Sequence, residues 1–215
     1  MPRQRTHKTD RALPKILSRE DCLRLLQAPN PKTVTGYRDL VALLLLYRCG
    51  LRISELCNLS RYNVKLDEGY ILVQDGKGGV DRTVNLDAQT IEYCHRWLAH
   101  PRRPQSDWFV CNIQSREAPA GSQTTRFNWS KILQRYGYKA NVWLYDQATR
   151  LPIHPHTLRH CYATERLEDG FSLPEVQAWM GHSDISVTAI YLHVRPTALR
   201  AKMGLVPALA ITPAF

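Results

Sequence analysis

The spacing of apolar positions is helical over most of the chain and changes to a two-residue alternation in one stretch. Ser18-Arg-Glu-Asp21 has the form of a helix start, a capping hydroxyl followed by acids where the macrodipole favours them. That helix carries Leu23, Leu25 and Leu26 and ends near Pro29. From Gly36 to Cys49 runs the most apolar helix, expected at the centre of the core, and Gly50 breaks it. A further helix is predicted from Arg52 to Asn58, with Ile53, Leu56 and Cys57 turned inward. The period then shortens. Tyr70-Ile-Leu-Val-Gln and Asp81-Arg-Thr-Val-Asn-Leu86 read as strands around the turn cluster Gly76-Lys-Gly-Gly79, with Val64 to Leu66 as a third strand. Helices resume over 87–98, 122–136, 156–167, 174–179 and 185–194, with a last basic helix near Arg200 and Lys202. The pattern predicts one mainly α domain with a small antiparallel β-sheet (α+β).

Charge adds a partner to this picture. Lysine and arginine total 29 against 19 acidic residues, a formal net charge of +10, which points to a polyanion and first of all to nucleic acid. Residues 1–13 are polar, basic and aperiodic, and read as a flexible arm able to lie against a DNA backbone. No apolar run approaches the roughly 18 residues of a membrane span, and no apolar segment follows the basic N-terminus as in a secretory signal. The expectation is a cytoplasmic protein without a membrane partner. Six scattered cysteines (22, 49, 57, 94, 111, 161) lack CxxC or framework spacing and read as reduced, mostly buried thiols.

Four separated segments carry the candidate chemistry: Arg52 in Gly50-Leu-Arg-Ile-Ser-Glu-Leu56, Lys77 in the hairpin, His156-Thr-Leu-Arg-His160, and Gly181-His-Ser-Asp184 leading to Tyr191. Each has a plain reading by itself. Arg52 and Glu55, three apart on a helix, can be a surface ion pair contributing about a few tenths of a kcal/mol. Lys77 can be an ordinary loop lysine and Tyr191 a core or surface tyrosine. His154, His156 and His160 are close enough in sequence to suggest a metal, although no Glu or Cys stands at ligand spacing and an arginine is a poor neighbour for a cation. Taken together, two arginines, a lysine and two histidines are what a site needs to hold a phosphodiester without a metal. Guanidinium forks bind nonbridging oxygens in pairs, and fixed cationic donors favour the charge that builds on a pentacoordinate phosphorus. A tyrosine hydroxyl, with a solution pKa of about 10, becomes a nucleophile where a positive site favours the phenolate.

The blocks Gly-Leu-Arg-Ile-Ser-Glu-Leu (50–56), Gly-Lys-Gly-Gly (76–79), His-Pro-His-Thr-Leu-Arg-His (154–160) and Gly-His-Ser-Asp-Ile-Ser-Val-Thr-Ala-Ile-Tyr (181–191) resemble the catalytic boxes of the tyrosine recombinases, the phage-integrase family. The resemblance runs from about residue 14 to 195 and implies that family's catalytic-domain fold over 14–204. It implies roles as well. Tyr191 attacks the scissile phosphate to form a 3′-phosphotyrosyl link, Arg52 and Arg159 clamp the phosphate, and Lys77 is the general acid for the leaving 5′-oxygen. His156 handles the tyrosine proton or binds the phosphate, and His182 hydrogen-bonds a phosphate oxygen. Glu55 takes the acidic position that orients the arginine or histidine network, and His160 is structural. The bond energy stays in the phosphotyrosine, so no ATP, metal or other cofactor is required.

Most members carry a separate N-terminal helical domain, whereas here the catalytic pattern starts almost at once, as in short recombinases such as the fimbrial-switch invertases or in a catalytic fragment. Val80 stands where many relatives have lysine or a polar residue. The expected partners are double-stranded DNA carrying a specific site, further copies of the chain in a homo-tetramer on DNA (monomer or weak dimer when free), and accessory DNA-bending proteins. The tail 205–215 is apolar enough to pack on a neighbouring subunit or back on its own. Two other functions share the charge and the motifs: an architectural or regulatory DNA-binding protein, and a type IB topoisomerase-like enzyme that nicks and reseals one strand.

Overall fold

The computed structural model describes residues 14–74, 81–113 and 118–181. Helix α1 (Arg19–Gln27) starts where the sequence places it, with the Ser18 hydroxyl accepting from the Asp21 amide at 3.0 Å. Helix α2 (Val34–Arg48) is capped by Thr33 and is buried without interruption from Gly36 to Tyr47, so it is the axis of the domain. Helix α1, the short α3 (Ile53–Cys57), α4 (Ala88–Leu98) and α6 (Pro155–Glu168) pack around it. A charged pair is buried against this core. Asp39, with no exposure, accepts from Arg38 at 2.6 and 2.8 Å and from the Tyr136 hydroxyl of α5 (Arg126–Ala140) at 2.7 Å, which fastens α5 to the central helix.

The sheet is antiparallel in the order β1 (Val64–Lys65), β2 (Tyr70–Val73), β3 (Arg82–Asn85). Ile71, Val73 and Val84 turn to the core, which gives the alternation seen in the sequence its physical cause. Arg82 pairs with Val73 at the last register position between β2 and β3. Helix α7 (Leu173–Met180) packs on α6 and on β3, and Tyr162, Ala163, Leu167, Leu173, Val176 and Met180 form a second apolar cluster beneath it. The α+β class is as expected. All six cysteines are buried with free thiols.

One expectation fails and one element was missed, each for a local reason. The helix expected over 122–136 begins at Arg126, because Thr125 caps it and residues 122–123 are drawn into extended pairing with 111–112. A second hairpin, β4 (Leu144–Asp146) and β5 (Thr149–Leu151), was not foreseen. Its strands lie largely at the surface, and its turn uses Gln147 at φ +53° in place of glycine, so neither hydrophobic alternation nor turn composition announces it. The helices expected over 185–194 and near Arg200, the arm 1–13 and the tail 205–215 lie outside the described residues.

Candidate active site

One buried carboxylate organises the site. Gly50 leaves α2 at φ +62°, a conformation with little cost for glycine, and a Cβ there would meet the Tyr162 ring at 2.4 Å. The sharp exit sets Arg52 as the extended residue before α3, and Glu55 folds back in the first turn of that helix. Its Oε2 accepts from the Arg52 amide at 2.7 Å and its Oε1 from Arg52 Nη1 at 2.7 Å. This is not the surface pair that the spacing allows: the Glu55 side chain is 6% exposed and that of Arg52 is 28% exposed.

Arg82 of β3 approaches the same carboxylate from the sheet. Its Nη1 and Nη2 donate to Oε1 and Oε2, both at 2.8 Å, in a two-pronged contact. From the first turns of α6, Arg159 brings Nη1 to 3.9 Å from Glu55 Oε2 and donates through that nitrogen to the Gly50 carbonyl. The Arg82 and Arg159 side chains are as buried as the carboxylate.

The last carbonyls of α7 complete the frame, and each takes a different arginine. Trp179 O accepts from Arg82 Nε at 2.8 Å, Met180 O from Arg159 Nη2, and Gly181 O from Arg52 Nη2 at 2.7 Å. A helix C-terminus presents unpaired carbonyls and the negative end of the dipole, so it suits three cations. Gly181 closes the helix at φ +61°, and a Cβ there would lie 2.9 Å from Arg82 Cδ.

Burial alone would hinder ionisation of Glu55, yet the hydrogen bonds and charge of Arg82, with Arg52 and Arg159, hold its pKa below the usual carboxylate range. Three guanidiniums against one carboxylate leave two positive charges in excess at a partly open surface. That surplus suits an anion whose negative charge grows during reaction. His156, in the first turn of α6, is exposed along one edge. Packing on its other side, then the fields of Arg159 and Arg52, push its pKa below the ordinary imidazole value. That shift favours the neutral imidazole over the protonated one. One turn on, half-buried His160 is shifted the same way by burial, His156 and Arg159.

The structure thus brings Arg52, Glu55 and Arg159 together and sets His156 and His160 on the helix that carries Arg159. Lys77, His182 and Tyr191 lie outside the described residues. The sequence reading missed Arg82. Its only signal was a cation on the inward face of a strand, two residues before buried Val84. Among the described residues, no three His, Cys, Asp or Glu side chains converge as metal ligands, His154, His156 and His160 included. No helix among them is long and apolar enough to cross a membrane.

Comparison with known proteins follows the same outline. The model of the phage integrase family matches residues 15–198. The tyrosine recombinase XerA of Thermococcus kodakarensis is 39% identical over 193 residues, covering 90% of this chain and 63% of XerA. The tyrosine recombinase XerD of Staphylococcus haemolyticus is 35% identical over 195 residues, 91% of this chain and 63% of that protein. The chain therefore spans somewhat less than two thirds of the length of these relatives. A crystal structure of XerA recombinase superimposes with a TM-score of 0.71 at 26% identity, covering 94% of this chain and 68% of the other. The catalytic domain of bacteriophage HP1 integrase, at 19% identity and a TM-score of 0.56, shares the fold over 88% of this chain and 94% of its own.

Proposed function

The chain belongs to the phage integrase family, and we propose that it is a site-specific DNA recombinase acting through a 3′-phosphotyrosyl intermediate. The observation that carries this reading is the Glu55-centred cluster, in which the two box arginines, Arg52 and Arg159, meet one carboxylate and Arg159 lies one helical turn from His156. In this reading the two arginines bind the nonbridging oxygens of a scissile phosphate. Tyr191 attacks phosphorus while the bond to the 5′-oxygen breaks. Lys77 gives that oxygen its proton, and His156 accepts the proton of the tyrosine or hydrogen-bonds the phosphate beside His182. A 5′-hydroxyl from a second duplex then attacks the phosphotyrosine and reseals the strand, so neither ATP nor metal is consumed. The excess positive charge favours the transition state more than the ground state, which is how a site of this composition accelerates phosphoryl transfer.

In the same proposal residues 14–204 form the catalytic domain, the arm 1–13 lies along the backbone of double-stranded DNA, and 205–215 packs on a neighbouring subunit of a homo-tetramer. Accessory DNA-bending proteins and a cytoplasmic, nucleoid-bound location belong to this reading too. The names of the XerA and XerD relatives support it, as does a XerH recombinase bound to difH substrate in a pre-cleavage complex, which is 25% identical over 93% of this chain.

The test uses a nicked suicide duplex in the presence of EDTA, comparing the protein with Tyr191→Phe on a denaturing gel. A covalent band that vanishes in the variant is expected. Strong binding with no band from the unaltered protein favours an architectural role, and adducts without exchange between two sites favour the nicking-resealing enzyme.

A further inference from the structure

Arg82 has no part in the roles that the sequence boxes assign, yet it makes two hydrogen bonds to Glu55, both through its guanidinium. Its fork covers both carboxylate oxygens at 2.8 Å, and its Nε fixes the Trp179 carbonyl. We infer that Arg82 is a positioning residue, which occupies Glu55 so that the Arg52 and Arg159 guanidiniums keep their charge for a bound phosphate. This rests on reading the site as one that cleaves a phosphodiester.

The geometry explains why such a residue is needed. Glu55 serves α3 by accepting the Arg52 amide, and it serves the site by holding Arg52 Nη1. A buried carboxylate with only Arg52 and Arg159 near it would draw both forks onto itself, because an uncompensated buried charge is costly. Arg82 supplies the missing cation from a place where it cannot compete for substrate. Its side chain is 8% exposed against 28% for Arg52. Gly181 covers it so closely that a single added carbon would touch its Cδ. Arginine also suits this role better than lysine, since a planar fork can match two carboxylate oxygens at once and a point charge cannot. Through Trp179 O the same guanidinium fixes the end of α7, whose next two carbonyls hold Arg159 and Arg52.

The test compares two suicide substrates that differ at the scissile position, one a phosphodiester and the other a methylphosphonate, in which a methyl group replaces a nonbridging oxygen and removes the negative charge. Single-turnover covalent-adduct rates, half-site affinity and thermal unfolding are measured for the unaltered protein, Arg82→Met and Arg82→Lys. Losing one preorganised electrostatic contact at a reacting centre lowers rates by about 100-fold. A loss of roughly that size is expected for Arg82→Met on the phosphodiester, with half-site affinity held within about threefold. On the methylphosphonate, where there is less charge for the forks to offset, the loss should shrink to a few-fold. Arg82→Lys, which keeps a cation beside Glu55, should recover part of the rate and carries the test if the methionine variant does not fold. Equal losses on the two substrates would mean that Arg82 only supports the fold, and a rate unchanged on the phosphodiester would remove it from the mechanism; either overturns the inference. No adduct from the unaltered protein on the phosphodiester overturns the recombinase reading and this inference with it, whereas adducts from that protein and undiminished adducts from Arg82→Met overturn the inference alone.

Discussion

Replacing Glu55 by glutamine changes almost no volume and removes the one negative charge among three guanidiniums. The carboxylate accepts four hydrogen bonds of 2.7 to 2.8 Å, two from Arg52 and two from Arg82, and the Arg159 Nη1 nitrogen stands 3.9 Å away. In the variant the amide nitrogen must face a guanidinium donor, so at least one bond becomes a repulsion and the buried Arg82 and Arg159 lose their counter-charge. Breaking a buried ion pair costs about 3–5 kcal/mol. Since Arg52 reaches solvent and can relax outward, we expect the lower half of that range, about 3 kcal/mol. Urea unfolding measures it, because urea does not screen charge as guanidinium salts do, and the slope of the transition should be unchanged. The dependence on pH tests the cause. The folded-state pKa of Glu55 lies below its unfolded value, so its contribution is fully present above the unfolded pKa of about 4.3 and is lost as pH falls through the lower, folded value. The gap between the unaltered and Glu55→Gln proteins should therefore be flat from pH 8 to about pH 5 and close only below that. A gap under about 1 kcal/mol, or one that changes across neutral pH, would falsify the view of Glu55 as the ionised centre of the site.

Gly50→Ala places a methyl group in the Tyr162 ring at a positive φ; the backbone term and the overpacking together should cost about 2–4 kcal/mol, read by urea unfolding, and the displaced Gly50 carbonyl should slow adduct formation through Arg159. Ser172→Ala removes the reciprocal cap with Glu175 at the start of α7 and should lower stability by about 1 kcal/mol; because the far end of that helix holds three arginines, adduct formation should fall more than α1's Ser18→Ala makes it fall, and equal effects would argue against that link. An NMR titration should find the His156 imidazole below its ordinary pKa and moving upward in Arg159→Met, since packing and the arginine fields both disfavour its proton. An unshifted His156, or one that does not move in Arg159→Met, would refute the effect assigned to packing and the arginine fields.

Much was legible in the sequence because the information was local. The rhythm of Leu40 to Tyr47 required a helix buried on all sides, and Ser18 with Asp21 wrote a helix start that the structure keeps. Alternation around Ile71 and Val84 gave the sheet its inward face. The spacings within each box, Arg52 to Glu55 and His156 to Arg159 to His160, put those side chains on one helical end or face whatever the rest of the chain did. Hence the fold class could be read before any coordinates, while the boxes and the roles of their residues came from the family resemblance. The hairpin β4–β5 could not, because its turn uses Gln147 where composition rules expect glycine.

Tertiary structure decided how those local pieces meet. Nothing in a three-residue spacing says whether Arg52 and Glu55 lie in water or in the core, and that difference separates a weak surface pair from the centre of a site. Arg82 stands 27 residues from Glu55 and 97 from Trp179 along the chain. Only the packing of β3 against α7, with the Arg82 side chain reaching Glu55 of α3, makes one guanidinium serve both. The three α7 carbonyls that each take an arginine are backbone groups, so no side-chain pattern could signal them. The sequence by itself determined the helix and strand pattern and supplied the candidate residues for a phosphate site. The fold decided which charge stays buried to organise the others, because burial and long-range pairing are properties of the packed chain and not of any segment of it.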